Sequence, residues 1–215
     1  MSAELVHNFV APAGPGERTL LLLHGTGGDE NDLLPLGRAL DPRAALLAPR
    51  GAVIENGMPR FFRRLAEGVF DQADLLARTR DLAAFVAEAV ARYELDPARL
   101  IAVGYSNGAN IAASLMLRHP GVIAGAVLMR AMVPFEPEPG TPPALAGSPV
   151  LLLSGRLDPI AGPAQAERLA AILGGAGADV TLHWEEAGHG LAPAEAGVAR
   201  EWLVRRFPRA AVGAR

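Results

Sequence analysis

The stretch "VGYSNGAN", residues 103–110, places a serine between two glycines with the spacing Gly104-x-Ser106-x-Gly108. An apolar run, "RLIAV", precedes it, and a helical pattern, "NIAASLMLRH", follows it. When this pentapeptide joins a strand to a helix, the serine lies on a strained turn that exposes its hydroxyl above the sheet. The stretch therefore predicts a strand–turn–helix unit with Ser106 as candidate nucleophile. An ordinary glycine-rich turn is the alternative.

Short apolar runs alternate with longer helical patterns along the rest of the chain. The predicted strands are 19–24, 44–49, 99–104, 125–129, 150–154 and 179–186. The predicted helices are 74–93, 108–120, 163–175 and 193–207. Continuously apolar strands are typical of a sheet covered on both faces, and strand–helix alternation predicts a mostly parallel α/β sheet. Residues 50–73 and 130–148 show no period, and the second stretch is too rich in proline for a cap domain.

Length and charge restrict the class of protein. The chain has 215 residues, which predicts a single domain over residues 1–215. Its net charge of −3 gives no reason to expect binding to nucleic acid. We find no signal peptide and no run of roughly 20 apolar residues, so we expect a cytoplasmic protein without stable membrane association. Whether it forms a homodimer is left open.

Two residue types are missing from the chain. It has no cysteine, which excludes disulfides, thiolate metal sites and cysteine nucleophiles. It also has no lysine, because all 20 basic residues are arginine. This excludes a Schiff-base lysine and the lysine of a phosphate-binding P-loop. A serine nucleophile is compatible with both absences, and the serine mechanism developed below is expected to need no metal and no organic cofactor.

A serine hydroxyl needs a base that takes its proton, and histidine is the usual one. Of the five histidines, His189 follows the last predicted strand on a loop and is flanked by glycines, which makes it the candidate base. His24 ends the first strong strand and is expected to brace the adjacent loop. His7 and His119 are expected on the surface, and His183 in a structural position within a strand.

An acidic residue should orient the imidazole and stabilise its charged form. Asp158, in "LLLSGRLDPI", closes the next-to-last predicted strand. An ordinary Asp-Pro turn is the alternative for this residue. Asp179 is a weaker candidate, because it begins a strand at what should be the opposite edge of the sheet. The order Ser106, Asp158, His189 is the nucleophile–acid–histidine order of the α/β-hydrolases.

Serine attack on a carbonyl also needs donors for the oxyanion. One is expected from the backbone N–H after the nucleophile, that of Asn107. The other is expected from the glycine-rich loop in "LLLLHGTGGDENDLLPL", at the N–H of Thr26. A phosphate-binding loop is the alternative, but the segment lacks both the Gly-x-Gly-x-x-Gly spacing and a lysine.

Four motifs spread over nearly the whole chain carry a resemblance to a known family. "LLLHGTGGDENDLLPL", "VGYSNGAN", "LSGRLDPI" and "EEAGHGL" together resemble the phospholipase/carboxylesterase branch of the α/β-hydrolases. That branch includes acyl-protein thioesterases and small bacterial carboxylesterases. The resemblance implies an α/β-hydrolase fold without a cap, a triad of Ser106, Asp158 and His189, and oxyanion donors at Thr26 and Asn107.

Two residues depart from the thioesterase subgroup of that branch. Thr26 stands where that subgroup usually has leucine, and Asn107 where it usually has glutamine. Both positions act through the backbone, so the resemblance still implies the same mechanism. The stretch "PRFFRRLAEGVFD", residues 59–71, is more similar to the small bacterial esterases. The expected substrate is a small ester with a short to medium acyl chain. An acyl-thioesterase and a non-catalytic ligand receptor on the same fold remain alternatives.

The two stretches without a period carry apolar residues that are candidates for an acyl pocket. These candidates are Phe61, Phe62, Phe70, Met132 and Phe135. The alternative is that they pack beneath long loops. Arg63 and Arg64 lie in the first stretch, and one of them could pair with an acidic group of the substrate, although exposure on the surface is the simpler expectation.

Overall fold

The structure is a computed structural model that describes residues 5–138, 140 and 144–209. Residues 139 and 141–143, within the predicted irregular stretch 130–148, are outside the described part. The strands are β1 (His7–Val10), β2 (Thr19–Leu23), β3 (Ala45–Pro49), β4 (Val53–Glu55), β5 (Met58–Arg60), β6 (Arg64–Ala66), β7 (Val69–Phe70), β8 (Leu100–Tyr105), β9 (Gly125–Met129), β10 (Pro149–Gly155) and β11 (Asp179–Glu185). The helices are α1 (Leu34–Leu40), α2 (Gln72–Arg92), α3 (Asn107–Arg118), α4 (Pro163–Gly175) and α5 (Glu195–Arg206), with a 3₁₀ turn at Pro97–Arg99.

Seven strands form the central sheet in the order β1-β3-β2-β8-β9-β10-β11. Only β1 runs antiparallel to its neighbour, and all other pairs in this sheet are parallel. The six strands predicted from apolar runs are all in this sheet, and the predicted mostly parallel α/β fold is confirmed. Since parallel strands point the same way, the loops that follow β2, β8, β10 and β11 meet at one edge of the sheet.

Helices cover both faces of this sheet, as the continuously apolar strands predict. Alternate residues of a strand point to opposite faces. In β2, Leu21 and Leu23 pack into the core beneath α2, α3 and α4. Leu20 and Leu22 pack into the second core, beneath α1 and α5. The strands that carry the candidate residues are therefore fixed from both sides.

The structure also contains elements that the sequence analysis did not predict. β1 is a short, half-buried edge strand, and α1 has only seven residues, so neither gives a strong pattern. The stretch 50–73 forms two small hairpins, β4–β5 and β6–β7. The first hairpin turns at Asn56 and Gly57, whose φ angles are 52° and 78°. Asn-Gly is a strong hairpin signal because both residues tolerate positive φ.

In the part of the chain that the structure describes, no helix combines the length and the apolar character required to cross a membrane.

Candidate active site

Ser106 lies on the tight turn between β8 and α3, with φ 51° and ψ −113°, a conformation that non-glycine residues rarely adopt. Its N–H donates to the carbonyl oxygen of Met129 at 2.8 Å. A Cβ on Gly108 would lie 2.0 Å from the carbonyl oxygen of Leu23, and one on Gly104 would lie 2.6 Å from that of Gly108. Both flanking positions therefore require glycine because backbone approaches them closely.

The structure brings Ser106, His189 and Asp158 together in one chain of hydrogen bonds. The Ser106 Oγ and His189 Nε2 atoms are 3.0 Å apart. On the other side of the ring, Nδ1–H of His189 donates to Oδ2 of Asp158 at 2.8 Å. A proton on Nδ1 leaves Nε2 as an acceptor for the serine hydroxyl. The three groups come from the ends of three parallel strands, at the edge where α/β sheets bind ligands.

The carboxylate of Asp158 is fully buried and is fixed by backbone donors as well as by the imidazole. Its Oδ1 atom accepts from the N–H groups of Ile160 at 2.8 Å and Ala161 at 3.0 Å. Burial alone would raise the pKa of Asp158, but these two donors and the imidazole outweigh it, so the pKa lies below its usual value. The group beside His189 is therefore a carboxylate with a fixed orientation.

Asp179, the weaker candidate, lies at the start of β11, where it pairs with Arg206 of α5. The start of a parallel strand is at the opposite edge of the sheet from the loop of His189. The structure therefore does not bring Asp179 to the site.

The loop that carries His189 is held by side chains from the sheet. Three consecutive carbonyl groups of this loop accept hydrogen bonds. Arg130 donates from Nε to Gly188 at 2.9 Å and from Nη2 to Gly190 at 2.8 Å. The hydroxyl of Tyr105 donates to His189 at 3.1 Å. These contacts fix the backbone on both sides of the imidazole.

Arg130 is itself held by a buried ion pair with Glu195 at the start of α5. The pair is bidentate, with distances of 2.6 and 2.9 Å, and the two side chains are 0% and 2% exposed. Glu195 also accepts from the N–H of Ala192 at 2.6 Å. The sequence analysis missed both residues. The one sequence signal for a role at the site was the charge of Arg130, which comes directly after the apolar run of β9.

We expect Arg130→Met to lower the free energy of unfolding by about 3–5 kcal/mol, because it leaves the charge of Glu195 buried without a partner. The double variant Arg130→Met/Glu195→Met removes both charges and should recover most of the loss. Equilibrium urea denaturation of the three proteins measures this. A double variant as unstable as the single one would mean that the lost bonds to the loop carbonyls, and not the unpaired charge, cause the destabilisation.

Thr26 lies in a tight turn of the glycine-rich loop, and the hydrogen bond that closes this turn does not use the Thr26 N–H. Gly28 N–H donates to the carbonyl oxygen of Gly25 at 3.2 Å, and Gly27 has a φ of 84°, as a type II turn requires. The N–H of Gly27 donates to the carbonyl oxygen of Pro59 at 2.9 Å, so this N–H is not available to an oxyanion. Thr26 is therefore the central turn residue whose N–H can serve an oxyanion.

Asn107 is the first residue of α3, so its N–H has no acceptor within the helix. Its side chain lies in the interior, where Oδ1 accepts from the N–H of Phe61 at 2.7 Å. This bond ties the segment after β5 to the turn that carries Ser106. The N–H groups of Thr26 and Asn107 belong to residues that line the same cavity as Ser106.

His24 supports the glycine-rich loop, as expected, and both of its ring nitrogens are engaged. Nδ1–H donates to the carbonyl oxygen of Gly25 at 2.7 Å, and Nε2 accepts from the N–H of Gly51 at 2.9 Å. Burial is the main cause that lowers the pKa of His24. The residue is thus a neutral brace between two loops.

A cavity of about 220 Å³ opens beside Ser106 and His189. Its remaining lining includes Thr26, Tyr105, Asn110 and Ile160, and, from the predicted acyl-pocket residues, Phe70 and Met132. One side of the cavity also carries Arg60 and Arg64, of which the sequence analysis singled out only Arg64.

Three predicted pocket residues are corrected by the structure. Phe61 and Phe62 are buried in the core beneath the sheet's helices and do not line this cavity. The ring of Phe61 packs 4.7 Å from that of His24, and the ring of Phe62 packs edge-on against Phe70 at 5.1 Å. Phe135 lines a different cavity, with the guanidinium of Arg118 4.5 Å above its ring. None of the three therefore faces the cavity beside Ser106.

Over the described residues, we find no group of three or more His, Asp or Glu side chains arranged to hold a metal ion.

Comparisons with known proteins show which proteins this chain resembles. A family model described as serine aminopeptidase, S33, matches residues 68–148, and one described as TAP-like protein matches residues 124–207. The chain is 50% identical over 190 residues to the putative hydrolase MhqD of Bacillus subtilis (strain 168), covering 88% of this chain and 94% of that protein. The Bacillus cereus carboxylesterase structure matches with a TM-score of 0.91 and 47% identity, over 95% of this chain and 96% of that one. A carboxylesterase structure from Mesorhizobium loti matches with a TM-score of 0.82 and 38% identity, over 87% and 88% of the two chains.

Proposed function

The chain belongs to the carboxylesterase-like α/β-hydrolases and is an esterase-type hydrolase, and from this premise we propose that it cleaves short- to medium-chain carboxylic esters through an acyl-enzyme on Ser106. The observation that carries the proposal is the hydrogen-bond chain from Ser106 through His189 to Asp158. This chain supplies the nucleophile, the base and the orienting acid that acyl transfer to a serine requires.

In the first half-reaction, Ser106 Oγ attacks the ester carbonyl carbon while His189 Nε2 takes the hydroxyl proton. Asp158 keeps the ring oriented and stabilises its positive charge. The carbonyl oxygen becomes an oxyanion, which the N–H groups of Thr26 and Asn107 bind. The ester C–O bond then breaks, and the proton on Nε2 passes to the departing alcohol.

In the second half-reaction, a water molecule takes the place of the alcohol. His189 accepts a proton from this water, and the resulting nucleophile attacks the acyl carbon on Ser106. The same two N–H groups bind the second oxyanion. The bond between the acyl carbon and Ser106 Oγ breaks, the serine oxygen regains its proton from the imidazolium, and the carboxylic acid leaves. The cycle consumes one water and needs no electron acceptor.

The cavity supports a limited acyl length. Its volume of about 220 Å³ is smaller than the roughly 300–1,000 Å³ typical of pockets that enclose drug-sized ligands. Phe70, Met132 and Ile160 contribute apolar lining. Each buried CH₂ contributes roughly 0.8 kcal/mol, about fourfold in kcat/KM, until the cavity is full. The part of a longer chain that extends past the filled cavity gains no burial, and ordering it costs conformational entropy, so kcat/KM declines.

We therefore expect kcat/KM for p-nitrophenyl esters to rise from acetate, reach a maximum at a short to medium chain, and fall for palmitate. The measurement is a kinetic series over acetate, butyrate, octanoate and palmitate, with acyl-thioesters of the same lengths in parallel. A steady rise through palmitate, or a jump in rate above the solubility limit, would contradict the proposal and indicate a lipase. Consistently higher efficiency on the thioesters would identify a thioesterase with the same three residues.

A further inference from the structure

Two guanidinium groups on the wall of the Ser106 cavity share one carboxylate. Arg60 ends β5 and Arg64 begins β6, and both residues line the cavity. Glu55, at the end of β4, accepts from Nε of Arg64 at 2.8 Å, and its other oxygen lies 3.3 Å from Nε of Arg60. This group of three side chains therefore carries a net charge of +1 beside the candidate nucleophile.

Arg60 is the more deeply placed of the two cations. Its side chain is only 4% exposed, and it donates to Thr26 Oγ1 at 2.7 Å and to the carbonyl oxygen of Phe62 at 3.2 Å. Burial lowers the pKa of Arg60, yet a guanidinium remains protonated in proteins. A charge with little hydration interacts strongly with an opposite charge brought into the same cavity.

The acidic side chain that lines the cavity does not supply that opposite charge. Glu67 lines the cavity but is exposed, so water screens its carboxylate. Asp158 is not on the cavity wall, because the imidazole of His189 lies between its carboxylate and Ser106. The shared carboxylate of Glu55 therefore leaves positive charge available for a ligand.

We propose that Arg60 and Arg64 select esters that carry a carboxylate a few bonds from the scissile carbonyl, such as monoesters of short dicarboxylic acids. A guanidinium presents a planar fork of donors that matches a carboxylate, and such bonds are short and strong. Arg60 also contacts Thr26, whose N–H is the proposed oxyanion donor, so the charge is adjacent to the reacting carbonyl. The inference rests on the proposed esterase function and specifies its substrate class.

Matched substrates test the charge alone. Monomethyl succinate and methyl levulinate differ only in that a carboxylate oxygen of the first is a methyl group in the second. Acetoxyacetate and acetoxyacetone give the same comparison with the charge on the alcohol side. Acid release in a pH-stat gives kcat/KM for each. We expect at least a tenfold preference for the charged member of one of these pairs, and the pair that shows it identifies the side of the ester that faces the arginines.

Two neighbouring arginines give a matched pair of variants. The side chain of Arg63 is 61% exposed and pairs with Asp71 at 3.0 Å. Arg64 lines the cavity, and Arg63 does not. Arg64→Gln should reduce the charged-to-neutral preference about tenfold, and Arg63→Gln should retain the wild-type preference. Equal efficiency of the wild type on charged and neutral members of both pairs would overturn the proposal. So would an equal loss of preference in both variants, since that would indicate a long-range charge effect.

Failure of this inference differs from failure of the proposed function. If only the inference is wrong, both neutral and charged esters are cleaved without discrimination, and the activity still depends on Ser106. If the proposed function is wrong, none of the four esters is cleaved through Ser106.

Discussion

Ser106→Ala should fold like the wild type and hydrolyse esters several orders of magnitude more slowly. The substitution removes the only hydroxyl that contacts Nε2 of His189 in the described structure, so no acyl-enzyme forms. Alanine tolerates the φ of 51° about as poorly as serine, so the strain of the turn is unchanged. In serine proteases that lack a triad member, oxyanion donors and substrate binding alone still accelerate the reaction roughly 10³–10⁴-fold over the uncatalysed rate in water. We expect a residual rate of similar size here. Turnover of p-nitrophenyl butyrate measures the loss.

An organophosphonate probe gives an independent readout of the same assignment. It should label the wild type once and fail to label Ser106→Ala. Ser154, a buried serine in β10 that also follows an apolar run, provides the control, and Ser154→Ala should still be labelled. Full labelling of Ser106→Ala would refute the assignment of the nucleophile.

Asp158→Asn should lower kcat by about 10⁴ with the fold intact, the size of the effect seen for the corresponding change in serine proteases. The reason lies in how the carboxylate is held. Oδ1 accepts two backbone N–H groups, from Ile160 and Ala161, so an asparagine would place its oxygen there and its NH₂ toward the imidazole. Nδ1 of His189 must then accept, the ring proton moves to Nε2, and Nε2 no longer takes the serine proton.

The matched control is Asp179→Asn, at the opposite edge of the sheet. Asp179 pairs with Arg206 on the surface. Loss of an exposed ion pair lowers the free energy of unfolding by about 0–1 kcal/mol, and we expect kcat to be unchanged. Kinetics at saturating substrate compare the two variants. A large loss in Asp179→Asn together with a small loss in Asp158→Asn would mean that the acid has been assigned to the wrong residue.

The elements and residues that the sequence could predict are those with strong local signals. Each parallel strand of the central sheet is a continuous apolar run, because both of its faces are covered. The spacing around Ser106 is dictated by close backbone contacts of Gly104 and Gly108, which any such turn would need. The placement of Asp158 and His189 followed from their positions after strands, since parallel strands end at one edge.

The remaining features depend on tertiary contacts that no local pattern encodes. Arg130 and Glu195 lie far apart in the sequence and meet only because β9 and the start of α5 converge beneath the His189 loop. The aromatic residues of 50–73 gave no period, so the sequence did not indicate that Phe61 and Phe62 turn inward while Phe70 faces the cavity. Only the Asn56–Gly57 turn carried a usable local signal for these hairpins.

The bonds from Arg130 to the loop of His189 affect how the protein loses activity on heating. Surface loops commonly open at a lower free energy than the core, so an active site on such a loop can melt first. Here, opening the loop would release a fully buried guanidinium from two carbonyl groups and disturb its pair with Glu195. We therefore expect the base and the sheet to unfold as one cooperative unit, so that activity and tertiary structure are lost in a single melting transition.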